Sequence, residues 1–457
     1  MYRPSPVLLT LLFACKSGGG STVIADTDDV ENPGTSDTND TPVVDEASCE
    51  VHADNALLIR CSITLDDAGT TTLTLAANGA PTRSFDSEEG TEIEVVAWGL
   101  KAETAYAWDI GGVSGTVTTG SLPTDLLDAD IQVSGSPEAI DAVLLPMTCG
   151  EQYFAMIDGD GDIVWYLENA LYQNGMDAYE WTEDASLLIG NGSNVVEWAA
   201  TGEKLNTWDS YSGDVHHDLA RWNGYTYLLH SYSTGIATVD AVHVYDGMDL
   251  LGTFDFDDHY DTTDVQGGGP GGNEWGHANG INPSEDGQLV ISLLLWSSVV
   301  AIDADPQSAS FLDITWVVAG TNDGLPNADY SPAAGADQGF DRQHNASWVD
   351  GKLWLFDNTG TNGESRVARY TLNDTTGEVE FEEGWGVEDA CNIEGGAVPI
   401  DGGALGTCAT SRDIFEFRVG SETPTFELNA GCGNGGPGGG GPGGGGEAMN
   451  RGIPVVY

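Results

Sequence analysis

The stretch FAMIDGDGDIVWYLE, residues 154–168, shows the pattern that decides the fold. Two apolar runs rich in β-branched and aromatic residues flank a turn of aspartate and glycine, which is typical of a β-hairpin. Five further stretches repeat this pattern at intervals of roughly 40 to 65 residues, a little wider than the common propeller periods. They are NVVEWAATGEKLNTWD (194–209), VHVYDGMDLLGTFDF (242–256), VVAIDADPQSASFLDITWVV (299–318), VARYTLNDTTGEVEFEEGW (367–385) and DIFEFRVGSETPTFEL (413–428).

These six hairpins predict a six-bladed β-propeller over residues 123–457. One hairpin is too small to bury its own apolar face, so stacking the blades around an axis is the natural solution. The closing residues RGIPVVY (451–457) are expected to form a last strand inside a terminal blade. The glycine- and proline-rich run 431–446 is expected to be a surface loop.

A different β pattern precedes the propeller. Residues 48–122 contain short alternating runs such as TTTLTLAAN and TEIEVVAWGL, separated by turn residues at the spacing of a β-sandwich. The passage GLKAETAYAW (99–108) resembles the link between strands E and F of fibronectin-type modules. The chain is therefore predicted to be all-β, with an immunoglobulin/fibronectin-like sandwich followed by the propeller.

The charge balance excludes some classes of partner. The 457 residues include 14 Lys and Arg against 73 Asp and Glu, for a formal net charge of −59. Such a surface repels nucleic acids and anionic lipid headgroups. An anionic substrate would need a site where several of the few Lys and Arg side chains lie close together.

The N-terminus predicts export. MYRPSPVLLTLLFAC (1–15) has an apolar run too short to span a bilayer, and its Leu-x-Ala-Cys ending resembles a bacterial lipobox. Cys15 would then be lipidated, residues 16–47 would form an acidic flexible tether, and the mature protein would lie at the outer membrane, in the periplasm or at the cell surface. An ordinary signal peptide with an incidental cysteine is the alternative.

Six cysteines remain after Cys15, and an even number in an exported chain suggests disulfides. Proximity in the sequence favours the pairs Cys49–Cys61 and Cys391–Cys408, which leaves Cys149–Cys432 to join the start of the large domain to its end. The spacings do not suit zinc. The string Asp158, Asp160 and Asp162 lacks the later residues of a calcium loop and is interpreted as a hairpin turn, so no metal and no cofactor are expected.

Three histidine segments interrupt the hairpins. His217 lies in SGDVHHDLARW, His277 in NEWGHANGIN and His344 in DRQHNASW. Each segment leads into a turn and a strand, so the three side chains could converge at the central funnel from three blades. A histidine near a tryptophan is more often structural, but three equivalent positions among only eight histidines favour a site. The other histidines, His52, His230, His243 and His259, are interpreted as ordinary core or surface residues.

The four motifs HHDL…NGYTYLL, WGHANGI, QHNA…GKLWLFDN and SRVARY, in this order and after a β-sandwich, resemble the bacterial arylsulfate sulfotransferase family over roughly residues 46–457. The resemblance implies a six-bladed propeller that transfers sulfuryl groups between phenols by a ping-pong route through a transient sulfohistidine. By motif, His344 is the nucleophile, and His217 and His277 bind the sulfate and transfer protons. Asn279, Arg342, Gln343 and Arg366 are the candidate substrate-binding residues.

This scheme is chemically reasonable, because a neutral imidazole can attack sulfur and split one difficult transfer into two steps. The departing phenoxide needs a proton, and the sulfate oxygens need hydrogen-bond donors. The expected partners are a small aromatic sulfate donor and a phenolic acceptor, with the membrane reached only through the lipid anchor and with self-association into a homo-oligomer left open.

One departure from the family pattern keeps a second hypothesis open. The family motif continues into Ser-x-Arg, whereas this chain has Leu294 and Leu295 there, in ISLLLWSSVV. Losing such a donor commonly costs about 3 kcal/mol of barrier. Arg342 compensates if an extended strand points it the same way as His344; otherwise it pairs with a nearby carboxylate. The alternatives are a non-catalytic surface propeller that binds a ligand or partner, and, less favoured, a quinone-dependent dehydrogenase propeller.

Overall fold

The computed structural model describes residues 42–168, 178–209, 214–265, 272–321, 323–333, 339–358, 364–387, 391, 395–409, 411–432 and 451–457. The predicted signal peptide, Cys15, most of the predicted tether and almost all of the run 431–446 lie outside these residues. No helix in the described part of the chain is long and apolar enough to cross a membrane.

The first module is a seven-stranded sandwich. Its strands are β1 Val44–Val51, β2 Ile59–Gly69, β3 Thr72–Ala77, β4 Ala80–Asp86, β5 Gly90–Ala97, β6 Ala105–Ile110 and β7 Val113–Thr118. The sheet β1-β2-β5 faces the sheet β4-β3-β6-β7, and alternating residues such as Ile63, Leu73 and Trp108 fill one shared core. The hydroxyl of Tyr106 accepts a hydrogen bond from the Lys101 amide (2.9 Å), the corner expected near the start of strand F in such sandwiches.

The remaining elements build the propeller. They are α1 Thr124–Leu127, β8 Ala129–Gly135, β9 Ala142–Cys149, β10 Glu151–Asp158, β11 Ile163–Glu168, β12 Ala178–Trp181, β13 Ser186–Asn191, β14 Asn194–Ala199, β15 Lys204–Asp209, β16 Asp214–Trp222, β17 Tyr225–Ser233, β18 Thr238–Asp246, β19 Asp249–Asp255, a 3-10 turn Phe256–Asp258, β20 Ala278–Pro283, β21 Gln288–Leu293, β22 Ser298–Asp303, β23 Ile314–Ala319, β24 Ser331–Pro332, β25 His344–Val349, β26 Lys352–Asp357, β27 Arg366–Asn373, β28 Glu378–Gly386, β29 Gly395–Ile400, β30 Gly403–Cys408, β31 Asp413–Arg418, β32 Phe426–Cys432 and β33 Ile453–Val455.

These strands form six antiparallel sheets, one per blade. Four have the order β12-β13-β14-β15, β16-β17-β18-β19, β20-β21-β22-β23 and β25-β26-β27-β28, the last extended by β24. The C-terminal strand β33 is the innermost strand of the first blade, β33-β9-β10-β11, and β8 is the outermost of the last, β29-β30-β31-β32-β8. The inner strands contact one another in turn, and β33 contacts both β29 and β12, so the ring closes. The predicted all-β architecture and the closing strand in RGIPVVY are confirmed.

The six hairpins recognised in the sequence occupy the same position in every blade. The stretch 154–168 forms β10 and β11, and each of the other five forms the third and fourth strands of its blade, counted from the axis. Between the two domains, LPTDLLDAD (122–130) contains α1 and the start of β8, which extends the last blade.

The sandwich packs on the hairpin of the first blade and on β12 of the second. Trp98 contacts Trp181 with ring centroids 5.5 Å apart, and the Leu100 amide donates to the Val164 carbonyl (2.9 Å). The Lys101 ammonium lies 2.7 to 3.1 Å from the carboxylates of Asp158, Asp160 and Asp162, whose oxygens lie within 4.8 Å of one another. The acidic hairpin turn therefore binds a lysine from the neighbouring domain.

All three predicted disulfides are present: Cys49–Cys61, Cys149–Cys432 and Cys391–Cys408. The first joins two paired strands of the sandwich. The second joins the end of β9 in the first blade to the end of β32 in the last, which reinforces the ring closure made by β33.

Candidate active site

His217 lies on the inner strand β16, His344 begins β25, and His277 immediately precedes β20; each of these three consecutive inner strands is bulged. The ladder shifts between Val215 and Leu219 in β16, between Ala278 and Ile281 in β20, and between His344 and Ser347 in β25. The pairings of the inner strands β12 and β29 show no such shift. Bulges commonly re-aim side chains beside functional sites.

The backbone at these bulges is unusual. His217 and His277 take positive φ angles of 58° and 51°, and Asn345, the residue after His344, has a φ of 53°. Residues other than glycine seldom adopt this region, although Asn, Asp and His do so more often than the rest, and such conformations collect at functional sites.

His217 and His277 form a pair. Their Nε2 atoms lie 3.2 Å apart, and the Nδ1 atom of His277 lies 2.7 Å from a carboxylate oxygen of Glu274. Because an ionised carboxylate only accepts hydrogen bonds, Nδ1 of His277 carries the proton. In the neutral pair, Nε2 of His277 is then the acceptor and Nε2–H of His217 the donor.

The surroundings keep His217 uncharged. Its pKa lies well below the ordinary histidine value, first because the ring is buried, and then because positive charge on His216, His277 or His344 would repel its own. The His216 ring packs edge-on against His217, with centroids 4.9 Å apart, and its Nε2 lies 3.2 Å from a carboxylate oxygen of Asp240.

The side-chain amide of Asn358 holds the His344 ring at its Nδ1 atom. Its Nδ1 atom lies 2.7 Å from Oδ1 of Asn358, whose Nδ2 donates to the carbonyl of Cys391 (3.2 Å). This arrangement places the proton on Nδ1 and the lone pair of the neutral ring on Nε2. Burial lowers the pKa of His344 to about 4; the charges of His277 and Arg342 act in the same direction, and hydrogen bonds to Asn358 and the Arg342 backbone oppose them.

Arg342 is exposed beside this site. Its amide donates to the Ser297 hydroxyl (3.1 Å), and no carboxylate in the described part of the chain lies within salt-bridge distance of its guanidinium. The expectation that an extended strand aligns Arg342 with His344 is wrong, because Arg342 has a φ of 52° and β25 begins only at His344. Its charge still acts on the His344 ring.

The two leucines lie against the site. The amides of Leu294 and Leu295 donate to the carbonyls of His277 and Gly276 (3.2 and 3.1 Å), in the turn between β21 and β22. Leu294 is buried. In this chain, the turn where the family pattern has its arginine therefore carries apolar residues, and their backbone amides bind the backbone beside His277.

The other candidates are engaged within the blades. The Gln343 amide nitrogen donates to Ser292 Oγ and to two backbone carbonyls, and Asn279 donates to the Gln343 carbonyl (2.9 Å). The Arg366 guanidinium binds Asp357 (3.0 Å) and the Gly339 carbonyl, away from the imidazoles. Among the described residues, the Asn279 Oδ1 atom is buried without a hydrogen-bond partner.

Two contacting residues were not recognised in the sequence. Glu274 stands three residues before His277 in NEWGH, and Asn358 ends the motif LWLFDN. A carboxylate or amide near a catalytic histidine is a known orienting partner, so both were within reach of sequence reasoning.

Comparison with solved structures gives distant likenesses. A protein of unknown function from Bacteroides caccae is 11% identical, covers 72% of this chain and 98% of its own, and has a TM-score of 0.42. A catalytically inactive virginiamycin B lyase from Staphylococcus aureus with quinupristin is 12% identical, with 66% and 99% coverage and a TM-score of 0.39. BamB from Moraxella catarrhalis is 11% identical, with 64% and 78% coverage and a TM-score of 0.31.

The sequence comparison is more specific. No curated protein matches the chain. The family described as arylsulfotransferase (ASST) matches residues 135–382, more than half of the chain, and this region contains all three histidine-bearing strands. The chain therefore belongs to the arylsulfotransferase (ASST) family.

Proposed function

We propose that this chain transfers a sulfuryl group from a phenolic sulfate ester to a phenolic acceptor through a sulfohistidine at His344. Family membership supports aryl sulfotransferase activity in general. The observation that carries the finer proposal is the His344 ring, which is buried, has a pKa of about 4 and is bound through Nδ1 to Asn358, so the nucleophilic form dominates at neutral pH.

The first half-reaction starts at Nε2 of His344. Its lone pair attacks sulfur, the bond from sulfur to the aryl oxygen breaks, and the electron pair leaves on the phenolate. The His217–His277 pair lies in the same funnel and carries one extra proton before this half-reaction. It donates hydrogen bonds to the sulfuryl oxygens and gives that proton to the phenolate, which leaves the pair neutral. The Asn358 oxygen, which accepts from Nδ1–H, stabilises the positive charge that develops on the sulfated ring.

The second half-reaction reverses these events. The acceptor phenol gives its proton to the imidazole pair, its oxygen attacks sulfur, and the bond from sulfur to Nε2 breaks with return of the pair to the ring. Glu274, which holds Nδ1 of His277, stabilises the imidazolium that is present before the first half-reaction and is restored by the second. No cofactor is needed for the balance.

The test uses purified protein, p-nitrophenyl sulfate and phenol. Nitrophenol release that requires phenol and disappears in His344→Ala supports the proposal, as does one sulfuryl group found by mass spectrometry on the peptide that contains His344. Release that persists in His344→Ala would remove His344 as the nucleophile.

The second candidate is a non-catalytic propeller that binds an exported ligand or partner. Leu294 and Leu295 favour it, because they put apolar side chains where the family pattern has a cationic donor, in the turn whose amides bind the His277 and Gly276 carbonyls. No release from folded protein with several phenolic acceptors and at several salt concentrations would favour this candidate.

We further propose that the protein is an exported lipoprotein anchored through Cys15. The three disulfides support export, because such bonds persist in oxidising compartments. Labelled palmitate that enters the wild-type chain but not Cys15→Ser would support the anchor, and equal labelling would contradict it.

A further inference from the structure

Arg451 lies at the axis of the propeller and contacts several inner strands at once. It lies two residues before the closing strand β33 and is only 5% exposed. Its Nη1 atom donates to Asp218 on β16 (2.9 Å), and its Nη2 atom donates to Glu180 on β12 (2.7 Å) and, more weakly, to the Tyr179 carbonyl (3.5 Å).

The amide of Asn345 extends this network to two more strands. Oriented to satisfy both neighbours, its oxygen accepts from Nη1 of Arg451 (2.7 Å) and its nitrogen donates to the Ala397 carbonyl on β29 (3.2 Å). Asp218 also accepts from the Ile281 amide on β20 (2.8 Å). Arg451, Asp218, Glu180 and Asn345, called the central hub below, thus join all six inner strands.

The central hub is adjacent in sequence to two of the candidate catalytic residues. Asp218 follows His217, and Asn345 follows His344. Both pairs lie in the bulged segments, where the strand ladder does not fix the backbone. The four Nη hydrogens of Arg451 are all used within the protein, so its guanidinium is not a substrate ligand.

We propose that Arg451 is a positioning residue, which holds the bulges of β16 and β25 together so that His217 and His344 face one substrate. The inference rests on the proposed function for its catalytic consequence. A shift of about 1 Å in a reacting group can cost on the order of a hundredfold in rate, so the spacing that Arg451 sets is functionally important.

The main test variant is Arg451→Lys. A lysine keeps the charge that Asp218 and Glu180 require, but its single ammonium cannot span Asp218, Glu180 and Asn345 as the guanidinium does. We expect kcat to fall about 10- to 100-fold in nitrophenyl transfer. We also expect the acid limb of the pH profile of kcat/KM to move upward, because water enters as β16 and β25 separate and the ring of His344 is hydrated.

A second variant covers the case in which Arg451→Lys does not fold. Asn345→Gly removes the contact with β25, and glycine tolerates the positive φ at this position. It leaves the bonds of Arg451 to Asp218 and Glu180 in place. The same direction of change in kcat and in the acid limb is expected.

The matched control is Arg221→Gln. Arg221 forms a partly buried pair with Glu197 (2.7 Å) near the C-terminal end of β16, and none of its recorded bonds reaches a hub residue. It is expected to lower stability while leaving kcat per folded molecule and the acid limb at the wild-type values. If Arg221→Gln lost as much kcat as Arg451→Lys, general destabilisation would explain the effect of the hub variants, and the proposal would be overturned.

One readout does not depend on catalysis. The imidazole C2–H signals of the folded wild type and Arg451→Lys are titrated by NMR between pH 3 and 8, with His217, His277 and Arg342 as the titratable or charged neighbours of His344 in both proteins. A rise of the His344 pKa in the variant supports the positioning role even if the wild type transfers no sulfuryl group. Unchanged titration together with unchanged kcat in both hub variants would refute it.

Discussion

Replacement of Arg342 by glutamine tests whether this residue supplies the cation that the leucine turn lacks. Arg342 is exposed, has no carboxylate partner among the described residues, and its charge acts on His344. A sulfuryl group transferred at His344 therefore lies within the field of this guanidinium, whereas Arg366 is bound to the fully buried Asp357.

The magnitude follows from the exposure. A donor aimed at developing charge in a dry site contributes a factor of about 100 to 1,000 in rate. Solvent screens Arg342, so we expect Arg342→Gln to lower kcat/KM about 10- to 100-fold. Its free energy of unfolding should change by less than about 0.5 kcal/mol, because the bonds recorded for Arg342, such as that of its amide to Ser297, use its backbone, which glutamine retains.

The assay measures transfer from p-nitrophenyl sulfate to phenol at low and high salt, with Arg366→Gln as the contrast. That variant breaks a buried ion pair, so we expect a stability loss of about 3 kcal/mol with near-normal activity per folded molecule. Equal kcat/KM in wild type and Arg342→Gln would refute the role of Arg342. A fall confined to Arg366→Gln would show that the other arginine binds the sulfate.

Three further predictions concern stability and the domain contact. Because the pKa of His344 is lowered in the folded state, the unfolded chain binds this proton more readily, and stability rises with pH from about 4 to 6.5. Denaturation curves should show that His344→Gln loses about 3 kcal/mol of this rise. Equal slopes of unfolding free energy against pH in the two proteins would contradict the burial argument. Lys101→Met leaves three facing carboxylates uncompensated, so Ca²⁺ should raise the Tm of the variant but not of the wild type, and the absence of any calcium effect would show that the carboxylates separate. Replacing both Cys149 and Cys432 by serine should cost about 2–5 kcal/mol, measured in urea, because the bond closes the ring across 283 residues; a change below 1 kcal/mol would mean that β33 alone closes it.

The fold could be predicted from the sequence because each outer hairpin is formed by residues that are close together in the chain. In VHVYDGMDLLGTFDF the alternation and the turn lie within one short window, and every such hairpin became the third and fourth strands of a blade, counted from the axis. Among the inner strands, three are bulged and two others have only three or four residues, so their pattern of alternation is weak. The fifth strand of the last blade, β8, pairs with β32, which lies almost 300 residues later in the chain. No local sequence pattern predicts a pairing at that distance.

The site was readable only in part. The three histidines were found from rarity and from the family motifs, and the structure brings them to neighbouring inner strands. The alignment of Arg342 with His344 was inferred from strand alternation, which fails when a residue turns left-handed before the strand begins. Arg451 lies more than a hundred residues from His344 and resembles any other surface arginine in the sequence. Only ring closure brings it to Asp218.

The missing arginine leaves two sources of positive charge, and pH separates them. A guanidinium stays charged at every accessible pH, whereas an imidazolium loses its proton near neutrality. If Arg342 stabilises the transferred sulfuryl group, kcat in Arg342→Gln falls by the same factor at pH 6 and pH 9. If instead the His277–Glu274 pair holds a proton against the sulfuryl oxygens, wild-type kcat itself falls as pH rises, and Glu274→Gln removes that dependence because the imidazolium loses its carboxylate partner. If wild-type kcat stays constant from pH 6 to 9 and Glu274→Gln has the wild-type rate, the role of the His277–Glu274 pair is contradicted. Arg342 is then the only cation in the described site.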